Sequence, residues 1–205
     1  MLSKSELNRK KLNKDINMMV RVITQSFEGS LISIILYGSY GRDEGAFYAS
    51  GKSINVYNDY DVLLVVSKKL PSDKIQKVKK KLLDCLNIRF IDLSQKPVKK
   101  LKQLKPLIFN FDLRHGSSVI WGDPNILKKI PHFKPNQLTL VDAEILYFTR
   151  LYTFFGSIDE NGFINGISGE QSRFFRNQMA KAILAVIDVL LLQKHSYHAS
   201  YRERN

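Results

Sequence analysis

The sequence has a single cysteine, Cys85, in 205 residues. That excludes an intramolecular disulfide and a cysteine-based zinc cluster. Cys85 sits in KKLLDCLN, beside Leu82, Leu83 and Leu86, so the sequence predicts a buried helical thiol rather than a nucleophile. Long apolar runs are also missing. The longest, AILAVIDVLLL, spans eleven residues and contains Asp188, against the roughly 20 needed to cross a bilayer. The first residues, MLSKSELNRKKLNKDIN, are charged throughout and lack the apolar stretch of a signal peptide. A cytoplasmic protein without a membrane partner is the expectation. No internal repeat or low-complexity tract is visible.

Acidic residues are scarce: 19 Asp and Glu against 32 Lys and Arg, a net charge of +13 and a pI near 9.7. Such a balance favours anionic partners such as nucleotides or nucleic acid, although a lysine-rich genomic bias gives the same count. With 44% hydrophobic residues the chain is globular and long enough to bury a core.

Helical spacing of Leu7, Leu12, Ile16, Val20 and Ile23 predicts an amphipathic helix over residues 4–26. The run 31–37 reads as a strand, and YDVLLVV at 60–66 as a second, apolar enough to be covered on both faces. Pro71-Ser72-Asp73 opens a helix with Ser72 as N-cap and Ile75, Val78, Leu82 and Leu86 on one face. IRFIDL (88–93) reads as a third strand. A basic connector (96–106) follows, then a strand within 108–121 around SSVIW. Beyond about residue 132 the pattern becomes helical. Val141, Ile145, Phe148, Tyr152 and Phe155 form one stripe; Phe175, Met179, Ile183, Val186 and Leu190 form another. The two helices are expected to pack as a pair. The implied division is a core over 1–131 and a helical region over 132–205.

Two short motifs carry the chemistry. The first strand ends in YGSYGR. Gly38 lets the backbone approach a ligand, Ser39 can begin a helix whose free N–H groups bind phosphate, and Arg42 can fork onto phosphate oxygens. An ordinary turn fits the same residues. The second strand opens with NDYD, which puts Asp59 and Asp61 on one face and Tyr60 on the other. Paired carboxylates repel unless a proton or cation lies between them, and Mg²⁺ is held by one or two carboxylates plus phosphate oxygens. A solvated pair at a strand end is the alternative. If the two strands are neighbours, both motifs converge at one end of the sheet.

GSYGRDEG followed by NDYDVLLVV resembles the DNA polymerase β-type nucleotidyltransferase superfamily. Its G-S-x-G-R form is especially similar to that of the aminoglycoside nucleotidyltransferases and of the small nucleotidyltransferases of toxin–antitoxin pairs. The resemblance covers residues 30 to about 123 and implies an α+β fold with a mixed sheet flanked by helices. It implies transfer of a nucleoside monophosphate from an NTP such as ATP to a hydroxyl acceptor by a two-metal mechanism, with Mg²⁺ or Mn²⁺. Gly38, Ser39 and Arg42 then hold the nucleotide phosphates. Asp59, Asp61 and a third carboxylate hold the metals. Asp92 in IRFIDLS is the candidate for the third carboxylate and general base, with Asp112 in FDLRHG as its rival. Glu44 is expected to pair with Arg42 or a lysine. The acceptor (small molecule, protein or RNA), the choice of NTP and the oligomeric state stay open. A non-catalytic relative that binds RNA or a partner toxin is the second reading.

One departure stands out. Nineteen residues lie between Ser39 and Asp59, and AFYASGKSINVYN within them reads as a loop insertion overhanging the site. Near the C-terminus, His195 and His198 form H-x-x-H in a polar segment expected to be a solvated tail. Trp121 reads as a core or rim aromatic.

Overall fold

The fold is described from a computed structural model, over residues 3–51 and 53–204. The chain divides into two compact units. One comprises residues 1–105 and 110–132; the other comprises 106–109 and 133–205.

The first unit is built on a four-stranded sheet. Its strands are β1 (Leu31–Tyr37), β4 (Tyr60–Val66), β5 (Ile91–Pro97) and β6 (Ser118–Gly122), in the order β5-β4-β1-β6. β1 runs antiparallel to β4 and β6, while β4 and β5 are parallel. The sheet is therefore mixed, and α+β describes the fold. Helices α1 (Lys4–Ser26) and α3 (Ser72–Leu86) pack together. They close one core with the sheet, where Met19, Ile23, Val78 and Leu82 meet Ile34, Leu36, Val62 and Leu64. Strand alternation sends Ile35, Leu63 and Val65 to the other face, and these are buried as well. The apolar run of β4 is explained by this double coverage.

One polar network crosses the core. The Tyr60 hydroxyl donates to Asp15 Oδ2 at 2.8 Å, and Lys11 Nζ sits 2.6 Å from the same oxygen. A buried charge is tolerable only when paired and hydrogen-bonded, and here Asp15 has both partners.

Several expectations need correction. Ser72 is the first helical residue of α3; Pro71 occupies the N-cap, extended and without a side-chain cap bond. Cys85 is exposed, because the buried stripe Ile75–Val78–Leu82–Leu86 leaves it on the flank. β5 begins at Ile91 rather than 88 and continues to Pro97. α3 ends on Asn87 in a left-handed conformation, and pairing with β4 then runs its whole length. Residues 98–101 form a helical turn, α4, inside the basic connector. Residues 108–115 form a helix, α5, and the strand expected around SSVIW is β6, Ser118–Gly122. The supposed loop insertion is a hairpin: β2 (Phe47–Ser50) pairs antiparallel with β3 (Ser53–Val56).

The second unit holds α6 (Leu140–Phe155), α7 (Glu160–Asn165) and α8 (Gly169–Gln193). Thr139 caps α6 by accepting from Asp142 N–H, and Asp159 caps α7 by accepting from Gly162 N–H. α6 and α8 pack on each other as expected. They do not do so through the apolar stripes, however. Ala143, Ala182 and Ala185 are buried, whereas Ile145, Phe148, Tyr152, Met179 and Ile183 are exposed. The C-terminal segment is not a solvated tail. It folds back on α8, and Arg204 is only 6% exposed. There it pairs with Asp188 at 2.8 Å and donates to His198 O at 2.7 Å. His195 and His198 lie beyond α8, so they share no helix face; His198 Nδ1 is 3.4 Å from Glu203. Among the described residues, no helix is long and apolar enough to cross a membrane.

Candidate active site

β1 stops where Gly38 takes φ +67, a left-handed conformation suited to glycine. The chain turns directly into α2 (Gly38–Gly41). The turn is pressed against β4: a Cβ placed on Gly38 would lie 2.0 Å from Asp61 Oδ2. A Cβ on Gly41 would lie 2.3 Å from the Leu36 carbonyl oxygen. Both glycines of G-S-x-G-R are thus required by close approach, and Gly38 is what brings the turn onto a carboxylate. Ser39 is half-buried in this turn, and its carbonyl accepts from Glu44 N–H at 2.8 Å.

The sheet register assembles the acids. Tyr37 is opposite Asp61 on the antiparallel neighbour, and Asp61 is opposite Asp92 on the parallel one. Asp59 lies two residues before Asp61, just outside the strand, while Tyr60 between them points into the core. Asp92 is held by a residue that sequence reading did not single out: the Tyr37 hydroxyl donates to Asp92 Oδ2 at 2.6 Å. Burial, reinforced by the Asp92 and Asp61 charges, pushes the Tyr37 phenol far above its ordinary pKa. It is therefore a fixed donor. Two residues 55 positions apart carry no local signal of such a pairing.

Arg42 is engaged within the chain. Its side chain is 6% exposed; Nε lies 3.0 Å from Glu44 Oε2 and Nη1 lies 4.0 Å from Asp112 Oδ2. It also lies over Gly116, where a Cβ would come within 2.9 Å of Arg42 Cδ. With the bond from Ser118 Oγ to Gly41 O at 2.8 Å, Arg42 ties the Gly-Ser turn to the α5–β6 segment. Asp112 thereby serves this tie, whereas Asp92 is the acid in register with Asp61.

Tyr40 fastens the hairpin to the same turn. Its hydroxyl donates to Ala46 O at 2.6 Å and accepts from Tyr57 N–H at 3.1 Å. Its ring meets Tyr60 at 4.8 Å and Phe47 at 5.4 Å. Burial pushes its phenol pKa up to about 12. The sequence motif thus anchors both ends of β2–β3 next to the acids.

Among the described residues, no three acidic, histidine or cysteine side chains stand close enough to form a metal cage by themselves. The donor chemistry is of the type that hard cations take. All three acids offer hard oxygen ligands, two of them in register across adjacent strands, and Mg²⁺ completes its shell with water and phosphate oxygens.

No protein-family model matches the chain, and no curated protein does. Solved structures do. Spectinomycin adenyltransferase AAD(9) from Enterococcus faecialis, solved with ATP and spectinomycin, superposes with a TM-score of 0.51. The match has 12% identity and covers 90% of this chain and 98% of that one. The chain has a nucleotidyltransferase fold. A tri-AMPylated Shewanella oneidensis HEPN toxin in complex with its MNT antitoxin gives a weaker likeness. Its TM-score is 0.39 at 14% identity, over 71% of this chain and 97% of that one. A toxin–antitoxin structure with AMP-PNP gives 0.40 at 16% identity, over 55% and 77%.

Proposed function

We propose that this chain transfers a nucleoside monophosphate from an NTP to a hydroxyl acceptor, releasing pyrophosphate. The observation that carries the reading is the packing of Gly38 onto Asp61, with Asp92 next in register. A backbone turn suited to phosphate and a row of carboxylates suited to hard cations are thereby adjacent.

In this reading the Gly38–Ser39 turn receives the β- and γ-phosphates. Asp59, Asp61 and Asp92 hold Mg²⁺ or Mn²⁺. The bound metal would supply charge neutralisation at the phosphates and orientation for an in-line displacement. Asp92 accepts the proton of the acceptor hydroxyl as its oxygen bonds to the α-phosphorus and the bond to pyrophosphate breaks. Tyr37 keeps the Asp92 carboxylate turned into the site. The hairpin, fixed by Tyr40, forms a wall beside the turn and is the element best placed to select the acceptor.

The deciding experiment supplies α-labelled and γ-labelled NTP with Mg²⁺ or Mn²⁺ and a cell extract. Acceptor labelled from the α-position alone supports nucleotidyl transfer. Label from the γ-position points to a kinase and overturns it.

Charge favours a second reading, a non-catalytic protein that binds RNA or a partner toxin. Residues 133–205 carry eight basic and seven acidic residues, so +12 of the +13 lies in the first unit. RNA binding that falls steeply with salt, without any label transfer, distinguishes it.

A further inference from the structure

The second unit exposes two apolar stripes. On α6, Val141, Ile145, Phe148, Tyr152 and Phe155 follow one another at helical spacing, with Tyr152 82% and Phe155 68% exposed. On α8, Met179, Ile183, Val186 and Leu190 do the same, each at least 40% exposed. Neither stripe contains a charged residue.

The stripes share one side of the helix pair. Phe154 near the end of α6 stacks on Phe175 near the start of α8, with ring centroids 5.3 Å apart, which is the arrangement of antiparallel helices. On α8 the exposed positions each follow a buried one: Met179 after Gln178, Ile183 after Ala182, Val186 after Ala185. On α6, Phe155 follows Phe154 in the same way. One residue is about 100° of helix rotation. An equal rotation from facing contacts on two antiparallel helices sends both stripes to the same side.

We propose that this face is a homodimer interface, in which the α6–α8 pair of one copy packs on that of a second copy. Monomeric proteins seldom leave apolar patches beyond about 300–600 Å² uncovered. These nine side chains expose on the order of 1,000 Å², enough for the roughly 800 Å² that each partner gives to a stable interface. Charge permits a second copy at this face. The first unit carries +12, but the second is nearly neutral at +1, so two such faces meet without repulsion. A twofold axis between the pairs sets each stripe against its counterpart, which makes the face self-complementary.

Sedimentation equilibrium on the full chain tests this. The expected mass is twice the 23.6 kDa of one chain, insensitive to added salt. Tyr152→Lys and Ile183→Lys, made separately, place a charge in either stripe at exposed positions. Each is expected to halve the mass with unchanged far-UV circular dichroism. A wild-type chain sedimenting as a single copy overturns the proposal. So does a doubled mass that survives both substitutions, or a different protein found crosslinked to the stripe in place of a second copy. The readout is mass, so it does not depend on the transfer reaction.

Discussion

The Tyr37 hydroxyl donates a 2.6 Å hydrogen bond to Asp92 Oδ2 across a sequence separation of 55 residues. Tyr37 also lies opposite Asp61, so one side chain sits at the junction of both acids. Tyr37→Phe removes the hydroxyl and keeps the ring. A hydrogen bond to a charged group contributes about 1.5–3 kcal/mol, so kcat for transfer should fall roughly ten- to hundredfold. KM for the NTP should stay within about twofold, because Tyr37 orients the acid and does not touch phosphate. A change in KM with kcat intact would remove Tyr37 from this role.

Asp59→Asn and Asp61→Asn test the metal-holding assignment. Each substitution preserves shape and removes one negative charge. Loss of metal-assisted charge stabilisation is worth several kcal/mol, so transfer should drop by about a thousandfold or more. The melting temperature should change little, since neither carboxylate belongs to the core. Full activity in both variants would end the nucleotidyl-transfer reading, whereas unfolding in either would mean the acids are structural.

Gly38→Ala separates backbone strain from steric conflict. The left-handed conformation costs an alanine about 1–2 kcal/mol, and the new Cβ would also meet Asp61 Oδ2 at 2.0 Å. Gly29 has a similar φ of +75 but nothing within 4 Å of a Cβ. Gly29→Ala therefore reports strain alone. Gly38→Ala should lower the melting temperature further than Gly29→Ala and abolish transfer. Equal thermal shifts with retained activity would show that the turn and Asp61 are less tightly apposed.

Buried phenols predict alkaline sensitivity. Burial holds Tyr40 at about 12, and burial with the Asp15 charge raises Tyr60 further. In the unfolded chain both ionise near 10. Above that pH the unfolded state binds fewer protons than the folded one, so stability falls as pH rises. The contribution is complete below about pH 10 and is lost progressively toward pH 12 for Tyr40. Urea unfolding across this range should show the decline, and Tyr60→Phe should flatten it. At neutral pH the same substitution should cost about 1–3 kcal/mol, because Asp15 loses a buried partner.

The sequence displayed the elements whose burial is periodic and local. β1 and β4 were legible as apolar runs, and α1 and α3 as 3.6-residue stripes. Gly38 and Asp61 stood out because a glycine at a strand end and an acid beside an apolar strand both ask for a reason. The hairpin was not legible: its strands are four residues each, and their alternation is too short to register. Tyr37 and Arg42 show the other limit. The Arg42–Glu44 pair is local and was legible, but the Tyr37–Asp92 bond and the approach of Asp112 to Arg42 are decided by strand register and by α5, which no local window contains. The stripes on α6 and α8 mislead for a related reason. Helical spacing identifies an apolar face, but it does not say whether that face meets the same chain.

The last nine described residues give the clearest case of a misread segment, and they yield a prediction. SYHASYRER looks solvated, yet Arg204 is buried, paired with Asp188 at 2.8 Å, hydrogen-bonded to Tyr197 Oη at 2.5 Å and to backbone carbonyls, and stacked 4.4 Å from the Tyr197 ring centroid. Asp188 is itself only 5% exposed on α8. Removing one member of a buried pair strands the other charge at a cost of about 3–5 kcal/mol. Arg204→Ala should therefore destabilise the second unit by that order, seen as an earlier thermal transition or faster amide exchange along α8. The double substitution Arg204→Leu with Asp188→Leu removes both charges and should recover much of the loss. An Arg204→Ala variant as stable as the parent would show that the segment contributes nothing to the fold.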